Sequence, residues 1–219
     1  MTGNGSNGIV VAEVKSVDDP LRLGRVQLTY PHLDDMESGW AKLVSFMGGG
    51  GRGGVFRPEP RDEVLVAFEH GDPRRPFVLG GLWSDVDKPP PDDGNPGANN
   101  WRYLRTRSGH LLRFDDTPGK ESITIEDRTG KRRLLIDAAG ESIEIVDETG
   151  TITIRAATGD VQIKAPAASV SVEAMTVTAR ASGDASLEGA NVSIKATASL
   201  TIEAGATLTL KGGMVAINP

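Results

Sequence analysis

The residue types that most often carry chemistry are few and scattered in this chain of 219 residues. The three histidines, His32, His70 and His110, stand far apart, and cysteine is absent. The lack of cysteine excludes thiol catalysis, disulfides and a zinc ribbon. The paired carboxylates Asp92-Asp93 and Asp115-Asp116 could serve acid–base chemistry, but each pair lies among glycine and proline and is typical of a turn. We therefore expect no catalytic residue, no metal site and no cofactor.

A glycine-rich segment at residues 48–54 reads GGGGRGG and invites comparison with phosphate-binding loops. It lacks the terminal Lys-Ser/Thr of such a loop, and no helical pattern follows it. We predict a mobile connection that bears Arg52 and joins the third and fourth strands of the first domain.

Residues 8–84 alternate apolar and polar positions in short runs separated by glycine, proline and aspartate. These runs predict five strands, at Ile9–Val14, Arg25–Tyr30, Trp40–Phe46, Glu63–Phe68 and Phe77–Leu82. Five short strands favour an OB-like barrel, and its aromatic residues are expected to pack in the core. An OB barrel can bind single-stranded nucleic acid, but residues 1–114 carry 14 Lys and Arg against 15 Asp and Glu, whereas phosphate binding favours a basic excess.

Two polar segments flank this domain. Residues 1–7 predict a flexible tail without the features of a signal peptide, so we expect synthesis and assembly in the cytoplasm. Residues 85–101 contain four prolines and predict an extended linker. No apolar run approaches the roughly 20 residues that cross a bilayer.

From Ser122 onward, a motif of two apolar residues separated by one residue recurs twelve times at intervals of 7 to 11 residues. Such internal repetition outranks any local motif in predicting a fold. The pairs are Ile123/Ile125, Leu134/Ile136, Ile143/Ile145, Ile152/Ile154, Val161/Ile163, Val170/Val172, Val177/Ala179, Ala185/Leu187, Val192/Ile194, Leu200/Ile202, Leu208/Leu210 and Val215/Ile217.

Each repeat offers one short strand with two side chains on one face, which cannot enclose a core within one chain. Three chains wound about a common axis could, if each repeat passed to the next face. We therefore predict that residues 102–219 form an intertwined, trimeric triple-stranded β-helix, or β-prism. All ten aromatic residues lie at or before Phe114, which suits a narrow aliphatic centre. The predicted trimer core comprises Ile143, Ile145, Ile152, Ile154, Val161, Ile163, Val192, Ile194, Leu200, Ile202, Leu208 and Leu210.

Several short motifs resemble the central spike proteins of contractile injection machines, namely phage baseplate spikes and VgrG-type proteins. The most specific stretch is Phe68-Glu69-His70-Gly71-Asp72-Pro73, followed by Arg75-Pro76-Phe77-Val78-Leu79-Gly80. Further motifs are Gly8-Ile9-Val10, Gly24-Arg25-Val26, Trp40-Ala41-Lys42, Arg57-Pro58-Glu59, Asp62-Glu63-Val64, Ser108-Gly109-His110 and Phe114-Asp115-Asp116-Thr117-Pro118-Gly119. One departure is Arg61, where glycine is common.

The resemblance implies a homotrimer with an OB domain and a β-prism, seated on a hub at one end and carrying a PAAR-type tip protein at the other. Because seven polar residues precede the barrel, we expect the hub or baseplate partner to be a separate protein. The linker leaves no room for the lysozyme domain of some phage spikes. The apolar end, Met214, Val215, Ala216, Ile217, Asn218 and Pro219, is predicted as a platform for the tip.

These expectations describe a non-enzymatic spike of a phage tail or phage-tail-like particle, which pierces a target envelope on sheath contraction and touches the membrane only transiently. Two alternatives remain open: an OB-fold nucleic-acid-binding protein, and a β-helical enzyme that degrades envelope polysaccharide. The enzyme would need clustered charges on one face of a longer coil. The charged residues after Arg180 are sparse, namely Asp184, Glu188, Lys195, Glu203 and Lys211.

Overall fold

The computed structural model describes residues 8–217, which are all-β apart from two short 3-10 turns at Pro31–Leu33 and Glu69–Gly71. The tail predicted at residues 1–7 and the platform residues Asn218 and Pro219 lie outside the described part. The chain divides into one unit that ends at Thr153 and another that begins at Ile154. The two units are described separately below.

The first unit opens with seven strands, five of which form a closed barrel. They are β1 (Val10–Ser16), β2 (Val26–Tyr30), β3 (Met36–Leu43), β4 (Gly48–Gly49), β5 (Arg52–Gly53), β6 (Glu63–Phe68) and β7 (Pro76–Gly81). The barrel order is β1-β2-β3-β7-β6, with β3 and β7 parallel and the other neighbours antiparallel. The predicted five-stranded OB-like barrel is confirmed.

Strand β3 begins four residues before its predicted start, because the preceding turn is tighter than the sequence suggests. Asp34 and Asp35 both adopt left-handed backbone conformations, at φ 49° and 56°. Aspartate tolerates this region better than most residues do. The chain therefore reverses within residues 31–35, and Met36 already pairs with Tyr30.

Small aliphatic side chains fill the barrel. The buried residues are Ala12, Val14, Val26, Leu28, Tyr30, Ala41, Val64, Val66 and Val78, with Val10, Val17, Leu43 and Phe68 packed against them. The expectation of an aromatic core holds for Tyr30 and is wrong for Phe46, Phe56 and Trp83, which are exposed. Strand β3 ends at Leu43 and β7 ends at Gly81, so these three residues lie outside the barrel strands.

One buried carboxylate organises the loop between β1 and β2. Asp19 accepts hydrogen bonds from the backbone N–H groups of Leu21, Leu23 and Arg25, at 2.9 to 3.3 Å. The Arg25 guanidinium adds two more, at 2.7 and 3.0 Å. The Arg25 side chain, followed by these backbone groups, holds the pKa of Asp19 well below its usual range. The loop that follows Asp18-Asp19-Pro20 is thus fixed by an ionised side chain.

A second sheet follows the proline-rich segment. Its strands are β8 (Trp101–Arg105), β9 (Leu111–Asp115), β10 (Ser122–Glu126), β11 (Arg132–Asp137) and β12 (Ser142–Asp147), in an antiparallel meander. The proline-rich segment contacts this sheet, since the Tyr103 hydroxyl lies 2.8 Å from the carbonyl oxygen of Pro90 and 3.0 Å from that of Pro91.

The first three repeats do not pass from face to face as predicted, because β10, β11 and β12 are consecutive strands of one sheet. The loops between them span residues 127–131 and 138–141. Connections this short return the chain antiparallel beside the preceding strand, whereas a parallel crossover needs many more residues. From residue 148 to residue 217 the described backbone forms no paired strand, and the trimeric prism stays a prediction.

Candidate assembly interface

One face of the second sheet is apolar over two rows of residues, with Arg102 at one corner and the paired Arg132 and Asp147 at another. The strand register places Leu104, Leu112, Ile125, Leu134 and Ile145 in one row across all five strands. A second row runs from Arg102 at the corner through Phe114, Ile123, Ile136 and Ile143. Side chains alternate between the two faces of a strand, so both rows share one face. We call this surface the inner face.

Much of the inner face is exposed to solvent in the single chain. Leu104, Phe114, Ile125, Ile143 and Ile145 are exposed. A groove of about 650 Å³ runs over the first row, with Phe56 of the barrel region and Ile152 also in its lining. A contiguous apolar surface of this kind marks an interaction site in a folded protein.

The opposite face of the sheet is mainly polar, and several of its groups contact one another. The Trp101 indole nitrogen donates to Asp115 Oδ2 at 2.7 Å, and the Arg113 guanidinium lies 4.4 Å from the Trp101 ring centroid. Partial burial tends to raise the pKa of Asp115, but hydrogen bonds from Thr117 and Trp101 outweigh it and lower the pKa. Asp116 pairs instead with Arg102 at 2.6 Å. The two adjacent carboxylates therefore bind different structural partners and do not form an acid–base pair.

Aspartates at strand ends hold the turns of the meander. Asp137 accepts from the Gly140 N–H at 2.8 Å, and Asp147 accepts from the Gly150 N–H at 2.7 Å. Asp127 accepts from the Thr129 hydroxyl at 2.8 Å, and this bond, with others from the backbone, lowers its pKa to about 2. The sequence reasoning missed these residues, although a signal was present: Asp127, Asp137 and Asp147 recur every ten residues.

The twelve predicted core residues are all at least half exposed, between 50% and 74%. Ile143 and Ile145 share the inner face, and Ile152 lines its groove. The other nine lie in the second unit, and the structure does not gather them into a core there. The platform residues Met214, Val215 and Ile217 are exposed as well.

Neither a metal cluster nor a membrane helix is found in residues 8–217. His32 packs edge-on against Tyr30 at a centroid distance of 6.0 Å, while His70 lies in a turn with φ 52°. In the described part of the chain, no three or more histidine or carboxylate side chains come together as a metal site would require. None of the helical segments described there has the length and apolarity needed to cross a bilayer.

Comparison with known proteins identifies the barrel. A family model for the type VI secretion system and phage-baseplate injector OB domain matches residues 10–83. This range coincides with the closed barrel, from the first residue of β1 to two residues after β7.

The chain is also distantly similar to curated spike proteins. It is 28% identical over 124 residues to the type VI secretion system spike protein VgrG5 of Pseudomonas aeruginosa, covering 55% of this chain and 14% of that protein. For VgrG4b of the same organism, the identity is 27% over 139 residues, covering 61% of this chain and 16% of the relative. For VgrG3 of Vibrio cholerae, it is 23% over 137 residues, covering 60% and 13%.

The chain thus spans about a seventh of the length of these relatives. The aligned stretches are longer than the 74 residues from 10 to 83 (83 − 10 + 1), so the similarity extends beyond the barrel. Residues 10–83 therefore match the injector OB domain of type VI secretion systems and phage baseplates, in a chain that is distantly similar to VgrG spike proteins.

Proposed function

We propose that this protein is the structural, non-enzymatic spike of a contractile injection machine, in a phage tail or a phage-tail-like particle. Three copies associate through the inner face and the repeats that follow it. The trimer connects a hub at the barrel end to a PAAR-type tip protein at residues 214–219. On sheath contraction it is driven through the target envelope.

The observation that carries this proposal is the exposure of every predicted core residue in a chain that begins with an injector OB domain. Full burial of one valine, leucine or isoleucine side chain contributes roughly 1.5–3 kcal/mol. Nine such residues in the second unit find no partner within it, so association of copies is the available route to their burial. The inner face supplies the start of that shared core.

The strand spacing gives the size of the proposed prism. The first three repeats lie in one sheet, so nine of the twelve repeats per chain remain for the prism. Three copies that share three faces would then place nine strands on each face. Neighbouring strands lie about 4.8 Å apart, so the rod would be roughly 40–45 Å long. The apolar pairs of the repeats bear no charge. A rod with an aliphatic centre and hydrogen-bonded faces would be stiff enough to transmit a mechanical load.

The experiment that tests the proposal is electron microscopy of injection particles from cells that encode this chain. Particles with the wild-type chain should carry a central spike at the baseplate, and mass spectrometry should find the chain in them. Particles from cells that produce a chain shortened after residue 153 should show the baseplate without the distal rod. Full-length chain that never copurifies with such particles would contradict the proposed function.

A further inference from the structure

The segment predicted as a mobile loop forms a hairpin that holds two phenylalanines at the protein surface. The Gly54 N–H donates to the Met47 carbonyl oxygen at 3.2 Å, and the Ser45 hydroxyl lies 2.9 Å from the Gly54 carbonyl oxygen. A Cβ at Gly54 would overlap the ring of Phe46. The rings of Phe46 and Phe56 lie 6.1 Å apart, and these residues are 79% and 65% exposed.

The two rings belong to a larger apolar surface. A depression of about 270 Å³ is lined by Phe46 and Phe56 together with Leu23, Val44 and Val55. All five are exposed. We call these five residues the hairpin patch. Aromatic residues held in place and left uncovered are typical of the energetic centre of an interface.

The chain segment that carries the hairpin has charges of one sign. Between Gly39 and Pro58 the charged residues are Lys42, Arg52 and Arg57, with no carboxylate among them. A protein surface that fits this patch has an apolar centre and an acidic rim.

This chain carries a surface of that kind next to the hairpin patch. Phe56 also lines the groove over the inner face, so the two apolar surfaces are continuous. The groove lining includes three carboxylates, Glu126, Asp127 and Asp147, against two arginines, Arg132 and Arg133. Asp127 and Asp147 pair with Arg132, whereas Glu126 is in no ion pair within residues 8–217.

We propose that the hairpin patch is a second contact between copies of this chain. In the trimer of the proposed function, on which this inference rests, the patch of one copy docks against the acidic end of the next copy's groove. Such a contact joins two different surfaces, and repetition around a three-fold axis closes it into a ring. The ring joins the barrels as a collar, in addition to the contact through the repeats.

The test uses the full-length chain, which has no cysteine of its own. Val55→Cys places a single thiol in the patch and retains both phenylalanines; it is labelled with benzophenone-maleimide and irradiated. Val11→Cys, at an exposed position of β1 outside the patch, is the matched control. The proposal expects Val55→Cys to yield covalent dimers and trimers with the attachment mapped to the groove of a second copy, and Val11→Cys to yield mostly uncrosslinked chain.

A charge exchange provides an independent readout in the same assay. Arg52→Glu and Glu126→Arg should each lower the yield of crosslinked dimer by about threefold, as for a rim charge pair, and the double variant should restore it. A double variant that crosslinks no better than either single variant would argue against the pairing of these two surfaces.

Native mass spectrometry of the labelled sample separates this inference from the proposed function. A trimer whose label at position 55 reacts only within its own chain overturns the collar and leaves the spike intact. A folded monomer overturns both. Cosedimentation of the chain with vesicles of mixed phosphatidylcholine and phosphatidylglycerol, without crosslinks between copies, would assign the patch to a lipid surface and also overturn the collar.

Discussion

At the scale of single residues, Arg61 holds a left-handed backbone conformation that glycine would adopt without strain. Glu59-Pro60-Arg61-Asp62 is a tight turn closed by the Asp62 N–H to the Glu59 carbonyl oxygen at 3.1 Å. Arg61 has φ 82°, the left-handed value that the third position of a type II turn requires and glycine provides. The departure from glycine therefore leaves the turn in place and adds strain at one residue.

Replacement of Arg61 by glycine should stabilise the protein. Relief of the left-handed strain at a residue with a Cβ, less the added freedom of glycine in the unfolded chain, predicts a gain of about 1 kcal/mol in the free energy of unfolding. Calorimetry of Arg61→Gly checks this result. Arg61→Ala is the matched control, because it removes the side chain but keeps the Cβ and should bring no comparable gain. Equal stability of the two variants would contradict the strain argument.

Turn aspartates predict how stability depends on pH. The pKa of Asp127 is about 2 in the folded chain against 3.8 for an unperturbed carboxyl, and those of Asp19 and Asp147 are also lowered. A lowered folded-state pKa adds stability above pH 3.8 that is lost as the pH falls toward the folded value. We therefore expect the unfolding temperature to fall between about pH 4 and pH 2.

The contribution of Asp127 can be isolated by substitution. Asp127→Asn keeps an acceptor oxygen for Thr129 but removes the titrating group, so the variant should lose less stability across the same pH interval. Thermal unfolding followed by circular dichroism at several pH values measures the difference. Identical pH profiles for the two proteins would assign the acid sensitivity to other carboxylates.

At the scale of strands and loops, the sequence predicted what depends on local periodicity. The apolar pairs correctly predicted the positions of β10, β11 and β12, because alternation with period two is a property of each strand. The arrangement of these strands depends on loop length. Their short loops place them side by side in one sheet, which the apolar pairs alone did not predict. Strands β8 and β9 precede the repeats and were not predicted. The aromatic core was overestimated in part because Phe46 ends the predicted strand Trp40–Phe46, yet lies past the end of β3.

The predicted inward and outward orientation of side chains in the distal repeats can be tested at two neighbouring residues. Ile202 is a predicted core residue, and Thr201 should point outward by alternation. Ile202→Asp would place three like charges near a shared centre, at a cost on the order of 3–5 kcal/mol per chain, and should prevent stable association. Thr201→Asp should associate as the wild type does. Size-exclusion chromatography with light scattering distinguishes the two outcomes, and equal behaviour of the variants would contradict the assigned facing.

At the scale of the whole molecule, the described chain is a folded barrel and sheet followed by repeats that hold unburied apolar pairs. The sequence allowed the barrel to be predicted, because its core is supplied by its own five strands. In the proposed trimer, the partner surfaces for the repeats lie in other copies of the chain. Their arrangement therefore depends on contacts that a single chain does not contain.

The measurement that tests this account most directly is the native mass of the full-length chain. Three copies of a 23.1 kDa chain give about 69 kDa (3 × 23.1), and we predict that this species dominates in solution and persists on dilution. The large shared apolar surface makes dissociation unfavourable. A folded species of 23.1 kDa that dominates under the same conditions would contradict the central claim.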